Sequence, residues 1–227
     1  MRLRDAGEAQ MIKPFLASLL AATACATVSL CAVAAKPAPT FKTSFDCATA
    51  RLPVEKLVCQ DARLAQMDLE LSRLYLLALT DQRSVPPPDK VEVDQRFWIA
   101  TRNQCGFEAD PKACTIRSYA ERAHKLRQGS AIARTKDPSR LTEGPLAFRC
   151  AGLNALVAAT FFTVQPGVVF LAWANNSIAL AQAPGDPGGQ FTGKDARGIY
   201  SFWQNGSDVL LQIPGSRPMS CTVEPTG

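Results

Sequence analysis

The sequence predicts an α+β chain of two separate modules: a four-helix domain pinned by disulfides, then a small antiparallel β-barrel of about eight strands. Three observations carry this expectation. Between Phe45 and Gln128 apolar residues recur at three- and four-residue steps, whereas after Pro145 the period falls to two. Turn signals crowd together only in the second half. Six cysteines follow the apolar N-terminal run, four before the change of period and two after it.

The first 35 residues read as a signal peptide. Arg2, Arg4 and Lys13 precede an apolar run from Phe15 to Ala35 that closes on Ala32-Val33-Ala34, small residues at the −3 and −1 positions of a cleavage site near Ala34-Ala35. Met11 offers a second, more compact start. Two other readings compete. A run of this length is enough to span a bilayer, and Ala22-Thr23-Ala24-Cys25 loosely imitates a lipobox, which would make the chain a lipoprotein acylated at Cys25. Cysteine parity favours cleavage: it removes Cys25 and Cys31 and leaves an even six, whereas acylation would leave Cys31 an orphan thiol in an oxidising compartment. The expected product is periplasmic or secreted, without a membrane span after cleavage.

Residues 36–44 form a short leader, and the helical domain covers 45–128. Pro53 suits the first turn of a short helix running toward Cys59. Asp61 is placed to cap a second, with Leu64, Met67, Leu71, Leu74, Tyr75 and Ala78 on one face. Pro86-Pro87-Pro88 closes that element. A third helix carries Val91, Trp98, Thr101 and Cys105 on one stripe and breaks at Gly106. A fourth starts at Asp110-Pro111 and turns Ile116, Tyr119, Ala123 and Leu126 inward. Residues 129–145, with Gly129, Pro138, Gly144 and Pro145, read as a linker. The barrel occupies 146–227, and Asn205-Gly206 between Ser201-Phe202-Trp203 and Val209-Leu210-Leu211 is its strongest hairpin signal.

The six cysteines read as staples. Cys47 and Cys59 flank the first helix, Cys105 and Cys114 flank the turn between the third and fourth, and Cys150 and Cys221 sit on the first and last strands. The two pairs of the helical half share one domain, so exchange of partners between them stays open. Zinc would bring close pairs such as C-x2-C with histidines, and redox chemistry a C-x-x-C; the chain has neither.

Catalysis finds little to use. His124, the single histidine, sits among Glu121, Arg122 and Lys125 and reads as a solvated surface residue. Asp68 and Glu70, or Glu92 and Asp94, stand two apart on a helix and point to different faces; they read as solvating or capping groups. Gly185 to Gly189 precedes no helix that would form a phosphate cradle. No catalytic residue, cofactor or metal is expected, and the chain reads as a binding protein, not an enzyme. After cleavage 22 basic and 18 acidic residues remain, a diffuse +4 too weak to imply nucleic acid.

Two stretches resemble known families. Ser44-Phe45-Asp46-Cys47-Ala48, Val54-Glu55-Lys56 with Val58-Cys59, Leu64 to Asp68 with Leu71 and Tyr75, Gln95-Arg96-Phe97-Trp98 with Arg102 and Cys105, and Cys114 with Tyr119 and Arg122 are similar to the LprI-type helical domain of bacterial lysozyme inhibitors. Phe148-Arg149-Cys150, Phe202 to Gly206, Val209-Leu210-Leu211 and Ser220-Cys221 resemble the MliC family of c-type lysozyme inhibitors, eight-stranded barrels closed by a disulfide between first and last strands. The resemblance implies an exported inhibitor whose barrel loops enter the cleft of a host or environmental c-type lysozyme. It places the contacts at Gly188, Gly189, Gln190 and Asn205, with Lys194 and Arg197 as nearby cations. This chain departs from the family where it matters most: Asn205 stands at the position of the family's lysine and Pro187 at that of its serine. A lysine there would face two catalytic carboxylates, one held ionised and the other with a raised pKa; lysozyme is the standard case of that pairing. The departures feed an alternative, a non-inhibitory envelope module that binds a cell-wall glycan or a resident protein.

Overall fold

The computed structural model describes residues 40–135, 141–183 and 189–225. The expected signal peptide, Cys25, Cys31, Pro187 and Gly188 lie outside the described residues. The described chain contains four α-helices, α1 (Pro53–Gln60), α2 (Ala62–Thr80), α3 (Pro88–Gln104) and α4 (Pro111–Gly129), and then eight strands. These are β1 (Thr142–Cys150), β2 (Leu156–Phe162), β3 (Val168–Trp173), β4 (Asn176–Gln182), β5 (Gln190–Asp195), β6 (Gly198–Asn205), β7 (Asp208–Gln212) and β8 (Met219–Val223). The strands pair antiparallel in sequence order and close as a barrel between β1 and β8. Among the described residues no helix is long and apolar enough to cross a membrane.

The helix starts follow local chemistry. Pro53, Pro88 and Pro111 occupy the first helical position, where a missing N–H costs nothing. Asp61 accepts from Leu64 N at 3.0 Å and Asp110 from Ala113 N at 2.9 Å, each satisfying an orphan amide of the first turn. On α2 the expected stripe is buried at Leu64, Met67, Leu71, Leu74 and Ala78, while Tyr75 is half-buried. On α3 the expectation needs correction: Thr101 is exposed, and the inward stripe passes through Arg102. A charged residue broke the apolar pattern, and its burial depends on partners that no periodicity reveals.

Three disulfides link Cys47–Cys59, Cys105–Cys114 and Cys150–Cys221. By loop-closure entropy alone the last, with a sequence separation of 71, should stabilise by ~4 kcal/mol, and the first two, with separations of 12 and 9, by ~3 kcal/mol each.

The barrel interior is apolar and aromatic. Phe148, Val157, Ala159, Val169, Leu171, Leu180, Phe202 and Leu211 fill it, with Phe148 and Phe202 edge to face at 5.5 Å. β3 breaks the expected alternation: Val168-Val169-Phe170-Leu171 are all buried. Val169 and Leu171 face the barrel interior, whereas Val168 and Phe170 belong to the core of the helices, together with Phe162 and Val164. A strand covered on both sides reads as a continuous apolar run.

Helices and barrel therefore form one compact unit over 38–227. The segment read as a linker is anchored at several described points: Gly129 ends α4, Ser130 and Ala133 are buried, and β1 already starts at Thr142, while Ala131, Ile132, Arg134 and Thr135 are exposed. The helix α4 touches β1, β2, β3 and β4 on one side and the other helices on the other. That placement overturns the reading of His124. The residue is 3% exposed, its Nδ1 lies 2.8 Å from Thr160 Oγ1 on β2, and its ring stands 5.1 Å from that of Phe170. A charged helix surface looks solvated until a second layer is laid over it.

Asp68 and Glu70 are likewise corrected. They do point to different partners, but both are buried, at 4% and 2% exposure. Glu70 takes a paired contact from Arg73 at 2.8 and 2.7 Å and a short hydrogen bond from Thr142 Oγ1 at the start of β1. Arg127 completes the junction, donating to Gly144 O at 2.6 Å, Ala133 O at 3.1 Å and Thr142 Oγ1 at 3.1 Å.

Candidate functional site

The sequence-predicted contact residues lie on the β5–β6–β7 meander, and an antiparallel barrel fixes which end each one reaches. Gly189 and Gln190 open β5, and Gln190 pairs with Trp203 of β6. Gln204 N donates to Gly189 O at 3.4 Å. Gly189 has φ +69, and a Cβ built there would stand 2.4 Å from Gln204 O, so this close approach requires glycine. Two residues on, Asn205 pairs with Asp208 across the β6–β7 hairpin, whose turn uses Gly206 at φ +61. Gly189, Gln190, Gln204 and Asn205 therefore share one rim. The side chains of Asn205 and Asp208 are exposed there.

Lys194 and Arg197 lie at the opposite end. They belong to the β5–β6 hairpin, seven residues of β6 away from Asn205. At a rise of ~3.3 Å per residue that is about 23 Å. Neither replaces the missing cation of the first rim. Arg197 is also committed: its Nε and Nη2 contact Asp195 Oδ2 at 2.9 and 2.8 Å, its Nη1 donates to Asn176 Oδ1, and its guanidinium lies 5.8 Å from the Tyr200 ring centroid. The hydrogen bond from Arg197 holds the Asp195 carboxyl at about 2, below the usual carboxylate range. Lys194 is exposed, alternating with the buried Phe191 along β5.

A second polar constellation lies among the helices, outside the contact residues expected from the sequence. Asp68 of α2 accepts from Tyr119 Oη at 2.8 Å and from Ser44 N at 2.6 Å. Arg102 of α3 donates to Tyr119 Oη at 2.9 Å and reaches Asn103 Oδ1 through Nε and Nη2 at 3.2 and 2.8 Å. Its guanidinium carbon lies 5.3 Å from the Trp98 ring centroid and 5.8 Å from that of Tyr119. Asp68, Arg102 and Tyr119 are all buried. Burial pushes the Tyr119 phenol well above its ordinary value, so it stays protonated and relays a hydrogen bond between the two charges. The signal that could have found this network was Asp68, Arg102 and Tyr119 standing on faces otherwise apolar.

One turn further along α4, Arg122 also meets α3, donating to Gln95 Oε1 at 2.9 Å and Val91 O at 3.2 Å. It lines a cavity of about 380 Å³ with Ser84, Asp94 and Ser130.

Compared with protein-family models, with characterised proteins and with solved structures, the chain matches none.

Proposed function

We propose that this protein is an exported inhibitor of c-type lysozyme, acting from the barrel rim that carries Gly189, Gln190 and Asn205. The observation behind this reading is the adjacency of Gly189 and Gln204, held by a contact only glycine permits. It puts the two segments to which the family resemblance assigns inhibitory contacts side by side, on a barrel whose first and last strands are joined by Cys150–Cys221. Three disulfides accord with folding in an oxidising compartment outside the cytoplasm. In this mechanism the hairpin enters the substrate cleft, and the Asn205 amide donates to the catalytic carboxylates. A neutral amide lacks the Coulomb attraction that a lysine ammonium would add to a carboxylate, and Asp208 beside Asn205 adds a like charge to the target's own. Inhibition should accordingly be weak.

The test is calorimetry and a cell-wall turbidity assay of the mature protein against a c-type lysozyme. Asn205→Lys should strengthen binding by roughly 0.5–3 kcal/mol. Adding Asp208→Asn should increase the gain, because a cross-strand carboxylate no longer neutralises the new lysine. Salt should shrink the gain if the site stays partly exposed. A protein that binds no lysozyme, with or without these changes, ends the proposal. One observation favours the second reading, a non-inhibitory envelope binding module: both candidate substitute cations, Lys194 and Arg197, sit at the far end of the barrel. Binding to isolated cell-wall glycan without lysozyme inhibition would support it.

A further inference from the structure

We propose that the cleft between α3 and the α1–α2 pair is a binding site for a free α-amino acid with an apolar side chain. The cleft has a volume of about 310 Å³ and is walled by Phe45, Tyr75, Trp98 and Ile99, with Asp68 and Arg102 at its polar side. Ligand pockets run from roughly 300 to 1,000 Å³. This one is at the small end, with room for an amino acid and little more.

The charge arrangement selects the ligand. A guanidinium has five N–H donors. Arg102 uses Nε and Nη2 on Asn103 and Nη1 on Tyr119; each nitrogen thus has a partner, but two of the five N–H have no acceptor among the described residues, although the residue is 6% exposed. A carboxylate offers about four lone-pair positions. Asp68 uses one on Tyr119 and one on Ser44 N, at 4% exposure. The two charges meet through the Tyr119 hydroxyl and not directly, and among the described residues neither has a contact ion pair. Burying charge without full pairing is costly. A zwitterion resolves both shortfalls: its carboxylate takes the spare Arg102 donors, its ammonium turns to Asp68, and its side chain lies against the aromatic walls. Glu55 also lines the cleft, but its Oε2 accepts from Arg51 N and Leu52 N at the start of α1 and its charge interacts with Arg102, so the ammonium's partner is Asp68. The site is remote in sequence from the barrel rim and does not depend on lysozyme binding.

The test is thermal melting and calorimetry of the full mature chain with L- and D-leucine and L- and D-phenylalanine. Isoamylamine, phenethylamine and the matching carboxylic acids serve as probes lacking one charge. At about a hundred times Kd the zwitterions should raise Tm by roughly 5–10 °C, and the single-charge probes should bind at least tenfold more weakly. The D and L arms show which stereochemistry the cleft takes. Thr49 is exposed at the cleft and outside the charge network, so Thr49→Trp should abolish the shift while leaving the ligand-free Tm within about a degree or two. Arg102→Lys should weaken binding more than tenfold. The proposal falls if none of the four amino acids binds, if the amines bind as well as the amino acids, or if Thr49→Trp keeps the full response.

Discussion

The two halves of this protein bury different things. Inside the barrel the chain places Phe148, Leu171, Phe202 and Leu211, and strand alternation sends polar groups outward. Among the helices it buries Asp68, Glu70, Arg102, Arg122, Arg127 and His124 as well as a leucine-rich stripe. The difference shows how each half reaches specificity. A closed barrel satisfies its own backbone and needs only side chains of the right volume. Helices meet along narrow stripes, so hydrogen-bonded charges can add registry at their junctions, at the cost that a broken pair leaves a buried charge uncompensated. In this protein the charges concentrate on α4 and its partners, the layer that faces both the other helices and the barrel.

The sharpest test of that contrast is at the junction with β1. Arg127→Met should cost roughly 3–5 kcal/mol, because it strips a donor set from Gly144, Ala133 and Thr142 and leaves Glu70 with less compensation. Leu171→Met inside the barrel keeps volume and polarity and should cost under about 1.5 kcal/mol. Urea denaturation of both variants measures the gap. Equal losses would remove the distinction between the halves.

Acid should find the helical side next. Burial, with the neighbouring Lys125 charge, lowers His124 to about 4, below its ordinary value of 6.5, so the ring is neutral where it meets Thr160 and Phe170. As pH falls through 6.5 the unfolded chain takes up a proton that the folded chain refuses. Stability should therefore decline between about pH 6.5 and 4, by up to about 3 kcal/mol, and level off below. In His124→Gln this slope should flatten by about one proton's worth, read as the difference between the two pH–stability curves. Parallel curves would mean that His124 is solvated after all.

The smallest effect concerns the partner across the interface. Thr160 is fully buried on β2 and its hydroxyl meets His124. Thr160→Val keeps the shape and removes the hydroxyl, so it should cost about 1 kcal/mol. The loss should be absent when His124 is already glutamine, which a double-mutant cycle measures.

Much of the architecture was legible in the sequence because it depends on local chemistry. Proline at the starts of α1 and α4, aspartate caps at Asp61 and Asp110, the change of period and the Asn205-Gly206 hairpin are decided within a few residues; Pro88, read as closing the second helix, instead opens α3, since α2 already ends at Thr80. Cysteine positions kept every pair within one half of the chain but left exchange open between the two helical pairs, which the structure joins as Cys47–Cys59 and Cys105–Cys114. The site was only half legible. Gly189, Gln190 and Asn205 share a rim, yet Lys194 and Arg197, only a few residues from Gln190 in sequence, are carried to the other end, because each strand reverses direction.

What only the tertiary structure decided is where charge is buried. Nothing in the steps around His124 distinguishes a solvated face from one covered by a second layer, and those around Asp68 and Arg102 show only a charge interrupting an apolar stripe, not the partners that allow its burial. The β2–β3 surface that covers α4 and the Tyr119 hydroxyl that links Asp68 to Arg102 come from residues 17 to 51 positions away. Sequence periodicity records which faces are apolar; it is blind to a polar face whose partners arrive from elsewhere in the chain, because the energy that permits its burial belongs to the pair and not to either residue.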